Sequence, residues 1–226
     1  MSSPNKVINV RSAINLVTSG ASLSGNISLL AANSSISDFS ILKSFAFRIN
    51  PPKPRITKEV LWMPPVLNCV KCNTDGASVG NPGPVACGGI YRNANADFLS
   101  VFSINFGVTS ALSSELIGAM VAIEIAHQKN WHNFWLETDS MLVFLAFKSA
   151  KIVSWHLRNR WDNCMHLLRF FNFNLSHIYR EGNHCADQLS NIGLSIQSYS
   201  WFHSLPHQIS AHFDRNSLGI PNFRLH

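Results

Sequence analysis

Between residues 68 and 194 the apolar residues change their spacing in an order that few folds can accommodate. Three strand-like runs come first: Cys69–Thr74, Val85–Arg92 and Phe98–Phe106. The second and third are joined by the Asn93–Asp97 turn, so the three predict an antiparallel meander. The stretch Gly76–Pro84 is rich in Gly and Pro and reads as a turn that no regular element crosses. In Ser113–Lys129 the residues Leu116, Ala119, Met120, Ile123 and Ala126 recur at helical spacing. A buried strand at Phe134–Thr138, helices at Ser140–Phe147 and Leu157–Phe170, a strand at Leu175–Arg180 and a helix at His184–Ile192 follow. The order βββαβααβα predicts an α/β fold with a mixed five-stranded sheet, three antiparallel strands then two parallel, and helices on both faces. Its β-α-β crossovers should be right-handed.

The flanks differ in character. Residues 1–67 are rich in Ser and Asn, carry a helix candidate at Ile36–Phe45, and end in Pro51-Pro52-Lys53-Pro54 and Pro64-Pro65, which read as an extended linker. Residues 195–226 form a tail without a strong period. Hydrophobic residues make up 46% of the chain and charged ones 13%, so most of it should fold around a core. The net charge of +6 is concentrated toward the N-terminus. The rest is nearly neutral, and a nucleic-acid binder built on it must gather its cations on one face. Lys148, Lys151, Arg158, Arg160, Arg169 and Arg180, interleaved with Trp155 and Trp161, offer such a face.

No apolar run approaches the ~20 residues that span a bilayer, so no membrane role is expected. Cys69, Cys72, Cys87, Cys164 and Cys185 are odd in number and scattered. They give no disulfide framework and fit a reducing compartment, nuclear or cytoplasmic. Cys69 and Cys72 spell half a zinc site, but no second pair follows, and structural cysteines are the reading. The first 37 residues hold no acid and many Ser, a composition that points to organelle targeting as the alternative.

Four acids fall at the ends of elements that converge in such a sheet. Asp75 closes the first strand, Glu115 lies in the first turn of the first helix, Asp139 follows the fourth strand, and Asp187 lies in the first turn of the last helix. Helix dipoles favour negative charge at Glu115 and Asp187. Carboxylates gathered in this way suit Mg²⁺, a hard cation that takes oxygen ligands and keeps waters. Two such ions can activate a water and stabilise the leaving oxygen in phosphodiester cleavage.

The residues around these acids carry a family pattern. Thr74-Asp75-Gly76-Ala77 with Gly80-Asn81-Pro82-Gly83-Pro84 and Gly88-Gly89, Ser114-Glu115-Leu116, Glu137-Thr138-Asp139-Ser140 and Arg180-Glu181-Gly182-Asn183-His184-Cys185-Ala186-Asp187 resemble the signatures of type 1 ribonucleases H. The resemblance covers residues 68–194 and is nearest to the plant domains related to the C-terminal part of non-LTR retrotransposon polyproteins. It implies a ribonuclease H-like fold and endonucleolytic cleavage of the RNA strand of RNA–DNA hybrids with Mg²⁺ or Mn²⁺. By matching position, Asp75 would bridge two ions, Asp139 and Asp187 would hold the ion on the nucleophile side, and Glu115 the other ion and a ribose hydroxyl. Ser114 departs from the family's usual Ala, and an enlarged basic loop is missing.

The turn after Asp75 suits contact with RNA 2′-hydroxyls, because glycine lets the backbone approach and Asn81 both donates and accepts. Gly76, Ala77 and Asn81 are therefore candidate nucleic-acid contacts, with Thr109, Ser110 and Ser140 at helix starts where phosphate binds well. In relatives a mobile histidine follows the last strand. His184 is the accessory candidate here, whereas His177 falls inside the expected strand and reads as structural. A monomer acting on RNA–DNA hybrid or other nucleic acid is expected. The competing reading is a domesticated retrotransposon remnant that binds nucleic acid or a protein partner with little turnover.

Overall fold

The computed structural model of the chain describes residues 9–27, 35–48, 50 and 56–225. It divides into two compact units, residues 1–56 and 57–226. In the first unit, α1 (Val10–Ile27) and α2 (Ile36–Ser44) bury none of their side chains. α2 occupies the expected helix, and Phe45 and Phe47 behind it stack with ring centroids 5.7 Å apart. The Pro51–Pro54 stretch lies outside the described residues. No helix among the described residues is long and apolar enough to cross a membrane.

The second unit runs β1 (Thr57–Val60), β2 (Val70–Ser78), β3 (Gly83–Arg92), β4 (Phe98–Thr109), α3 (Ala111–Gln128), β5 (Asn133–Thr138), α4 (Met141–Lys148), α5 (Arg158–Leu167), β6 (Asn172–His177), α6 (His184–Ser195), β7 (Tyr199–Phe202), α7 (His207–Ser217) and β8 (Asn222–Leu225). The main sheet has the order β6-β5-β2-β3-β4-β7. β2, β3 and β4 form the antiparallel meander, and β5 and β6 continue from β2 in parallel. The α/β class and the order of elements are those expected. The sheet has six strands rather than five, because β7 pairs antiparallel with β4. Four residues are too few to show a period, but an unpaired β4 edge would leave backbone groups without partners. Trp201 of β7 also packs on the core beside Tyr91, at 6.3 Å between centroids.

Helices cover both faces, and β3 shows how. Side chains alternate along a strand. A Cβ on Gly118 of α3 would lie 3.2 Å from Cys87 Cβ, whereas one on Gly193 of α6 would lie 2.7 Å from Ala86 Cβ. α3 and α6 therefore lie on opposite faces. α3 is buried on nearly all sides, as a helix held between a sheet and two further helices must be. Each of its wholly buried Leu116, Met120 and Ile123 contributes roughly 1.5–3 kcal/mol. On the other face Leu189 and Cys185 of α6 pack with Ile90, Val101 and Ile209.

Several boundaries differ from expectation. β2 runs on to Ser78 and β3 begins at Gly83, so only residues 79–82 form the turn, and Asp75 lies within a strand rather than at its end. α3 begins earlier than expected because Ser110 caps it, accepting from Ser113 N at 3.2 Å. Glu115 consequently sits beyond the first turn. β6 begins at Asn172 and ends at His177, since Phe173 and Leu175 turn inward, and Arg180–Gly182 form a single turn of 3₁₀ helix.

The compact unit extends beyond residues 68–194 at both ends. β1 and β8 form a two-stranded ribbon of their own. Val60 and Trp62 are buried with Ala96 and Ile178. An isolated ribbon of this size is marginal in water, and this apolar anchor holds it in place.

Candidate active site

Strand register brings the first two acids together. In the parallel pairing of β2 with β5, Thr74 lies opposite Thr138, so the next residues, Asp75 and Asp139, are neighbours. Gly76 admits the third: a Cβ there would lie 2.5 Å from Ser114 Oγ and 2.6 Å from the Glu115 amide. Only a residue without a side chain lets α3 lie this close to β2. Asp75, Glu115 and Asp139 then offer carboxylate oxygens that all lie within 4.8 Å of one another. Asp187 stands outside this trio. Its Oδ1 accepts from Arg180 at 2.7 Å.

The trio is electrostatically strained. Burial, then the charges of Asp139 and Asp187, raise the Asp75 pKa to about 8, against a hydrogen bond from the Gly76 amide. Burial, then Asp75 and Asp139, lift Glu115 well above the carboxylate range. Burial also raises Asp139, opposed by the hydrogen bond from Asn183. Glu115 Oε2 is buried with no hydrogen-bond partner. An orphaned carboxylate oxygen in a cluster of hard oxygen donors fits a divalent cation such as Mg²⁺ or Mn²⁺.

Beneath the acids lies a buried polar network that sequence reasoning missed. Asn183 donates to Asp139 Oδ1 at 2.9 Å and to the Thr74 carbonyl at 3.0 Å, and accepts from Asn73 at 3.2 Å. Asn73 also donates to Glu137 at 2.9 Å, and its side-chain Oδ1 accepts from Trp62 Nε1 at 2.8 Å and Arg92 at 2.7 Å. Glu137 pairs with buried Lys71 at 2.9 Å, and Lys71 donates to the Met63 carbonyl at 2.8 Å. Burial lowers the pKa of both cations, Arg92 to about 10. The Arg92 guanidinium lies 3.6 Å from the Trp62 ring centroid. Asn183 stood in the quoted motif, but its partners lie up to 110 residues away and left no local sign.

The other candidates separate into two groups. Asn81 accepts from the Ala111 amide at 3.3 Å, Ser110 caps α3, and Thr109 pairs with Gly83, so all three gather at the N-terminus of α3. Gly76 and Ala77 lie within β2, and Ser140 caps α4 directly after Asp139. Of the basic face, Arg160 is held by Glu124 through two bonds of 2.8 and 2.7 Å, and Arg180 by Asp187. Trp161 is in the core against Phe147, whereas Trp155 is exposed.

His184 lies against His212 with ring centroids 4.7 Å apart and the planes tilted, and burial lowers its pKa. His177 ends β6, and its Nε2–H donates to the Asp139 carbonyl at 3.0 Å. The ring next to an acid of the trio is thus that of His177. Cys69, Cys72, Cys87, Cys164 and Cys185 are all free and buried.

Residues 73–193 match the family described as reverse transcriptase-like. A protein of Arabidopsis thaliana that carries a ribonuclease H name is 32% identical over 170 residues, which cover 74% of this chain and 27% of that one. The chain therefore spans about a quarter of that relative's length. Among solved structures, ribonuclease H1 of the archaeon Halobacterium salinarum is similar, with a TM-score of 0.51 and 28% identity over 56% of this chain and 97% of that one. The N-terminal ribonuclease H domain of a Mycobacterium tuberculosis protein aligns with a TM-score of 0.51 and 25% identity, over 56% of this chain and 93% of that one.

Proposed function

Because this chain belongs to the reverse transcriptase-like family and has a ribonuclease H fold, we propose that it is a metal-dependent endonuclease cutting the RNA strand of RNA–DNA hybrids. The observation that carries this reading is the convergence of Asp75, Glu115 and Asp139 within 4.8 Å. The unpartnered Glu115 Oε2 supports it. These three residues, with Asp187 beside them, would hold the ions, two by the family pattern. Bound Mg²⁺ or Mn²⁺ supplies Lewis acidity, lowering the pKa of a water and stabilising the leaving oxygen.

The chain's own groups do the rest. The Gly76 amide fixes one carboxylate oxygen of Asp75, and Asn183 fixes one of Asp139. Arg180 fixes one carboxylate oxygen of Asp187. Thr109, Ser110 and Asn81, gathered at the start of α3, would meet a phosphate or a ribose hydroxyl. Five free cysteines suit a nuclear or cytoplasmic setting, and we read the active species as a monomer of retrotransposon origin.

A second reading rests on Asp187. Its engagement by Arg180 weakens the fourth acid as a ligand and favours a retrotransposon remnant that binds nucleic acid without turnover. Labelled RNA–DNA hybrid, duplex RNA and duplex DNA, each incubated with Mg²⁺, Mn²⁺ or EDTA, separate the two. The nuclease reading expects cleavage of the hybrid's RNA strand with either metal, none in EDTA, and none by Asp139→Asn. Hybrid binding without cleavage would establish the second reading instead.

A further inference from the structure

The ribbon of β1 and β8 lies outside residues 73–193 and holds an unfavourable pairing. Lys58 is directly opposite Arg224 in its antiparallel register. Like charges in that position destabilise a strand pair. Both cations lie against one ring: Lys58 Nζ is 4.5 Å and Arg224 Cζ 4.6 Å from the Tyr179 centroid. Lys58 also donates to the Tyr179 hydroxyl at 3.0 Å.

The next residue, Arg180, has a side chain that is 71% exposed and reaches Asp187 at the acidic site. One step along the chain thus links the aromatic and its two cations to the candidate site. Arg224 pairs with Glu181 at 3.5 Å, and Glu59 alternates to the other side of β1. The ribbon is firmly mounted: a Cβ on Gly182 would lie 2.5 Å from Ile178 Cδ1 and 3.0 Å from Val60 Cγ1. Groups held on such a mount lose little freedom when a ligand binds.

We propose that Lys58, Tyr179 and Arg224 form an additional contact for the phosphodiester backbone of nucleic acid, gripping the strand beside the acidic cluster. A phosphate between the two cations would offset their repulsion, and the Tyr179 ring holds both in place. The position of this contact next to the cut rests on the nuclease reading, whereas the contact itself does not.

Fluorescence anisotropy in EDTA, with a labelled RNA–DNA hybrid over a salt series, tests it without turnover. Lys58→Gln and Arg224→Gln should each weaken binding several-fold and lower the slope of log affinity against log salt by about one, additively in the double variant. Lys129→Gln, whose cation lies over Trp201, controls for bulk charge. Each substitution at the ribbon also removes a contact to Tyr179, and Arg224→Gln the ion pair with Glu181, so circular dichroism of each variant checks that it is folded. Wild-type affinity and slope in the double variant, or an equal loss in Lys129→Gln, would overturn the proposal. Binding losses as expected, in a wild-type chain that cuts no hybrid, would sink the nuclease reading and leave this contact standing.

Discussion

The side-chain amide of Asn183 spans two strands, donating to Asp139 Oδ1 at 2.9 Å and to the Thr74 carbonyl at 3.0 Å. One amide thereby ties the residue before Asp75 to the carboxylate of Asp139. Asn183→Ala leaves the buried Asn73 amide and the Thr74 carbonyl short of a partner, at a cost of about 1–3 kcal/mol. The same substitution removes a bond that lowers the Asp139 pKa. The acidic limb of the pH–rate profile should therefore move to higher pH, as the Tm falls by roughly 2–4 °C per kcal/mol. An unmoved acidic limb in a folded Asn183→Ala variant would leave Asn183 with a purely structural part.

Without metal, stability should fall as pH rises. The Asp75 pKa, raised from its ordinary value to about 8, means that the folded state keeps a proton the unfolded chain has already released. Between the unfolded value near 4 and the folded one near 8, each rise in pH costs stability, and outside that window this group adds no slope. Thermal scans in EDTA should show Tm declining across that range, and Asp75→Asn should flatten the decline. Millimolar Mg²⁺ should restore the wild-type Tm above pH 7, because the cation binds only the folded cluster. A Tm in EDTA that is level from pH 5 to 8 would show that the carboxylates do not converge.

Neither histidine should matter as much as an acid of the trio, and the two should differ. His184 is part-buried against His212 and held toward its neutral form, a poor position for a proton carrier. His184→Ala should lower the cleavage rate by less than about tenfold. His177→Ala, which loses the bond to the Asp139 carbonyl, should lower it more. Single-turnover rates beside Asp139→Asn decide the order. A loss in His184→Ala as complete as in Asp139→Asn would make His184 an essential acid or base.

Trp62 lies before the region the family pattern covers, yet only 1% of its surface is exposed. Trp62→Ala should destabilise the unit by about 3–5 kcal/mol. Trp62→Phe, which keeps most of the packing and loses the bond to Asn73, should cost about 1 kcal/mol. Urea denaturation measures both, and a Trp62→Ala midpoint equal to wild type would separate this segment from the folding unit.

Periodicity located the meander, α3, β5 and α6 because each repeats its apolar spacing long enough to be seen. Boundaries were harder to read. The strand through Asp75 outlasts the glycine that seemed to end it, since the pairing of Asp75 with Gly88 holds Gly76 and Ala77 in the ladder. β1, β7 and β8 have four residues each, and their partners lie far along the chain, so pairing rather than local pattern defines them. At the site, Asp75, Glu115 and Asp139 were legible as acids at element junctions. The ion pair of Asp187 with Arg180, the amide bridge of Asn183 and the place of His177 depend on side-chain reach across strands, which spacing does not encode.

Thr57 and Leu225 face each other across the ribbon of β1 and β8. The unit therefore receives and releases the chain at a single point on its surface. A few glycines could join residue 225 to residue 57, with new termini opened at the exposed Lys129–Asn130 turn. Such a circular permutant would retain every strand pairing of the sheet. The same geometry lets the unit be inserted into a surface loop of another protein without stretching its host, a splice that needs only two adjacent attachment points.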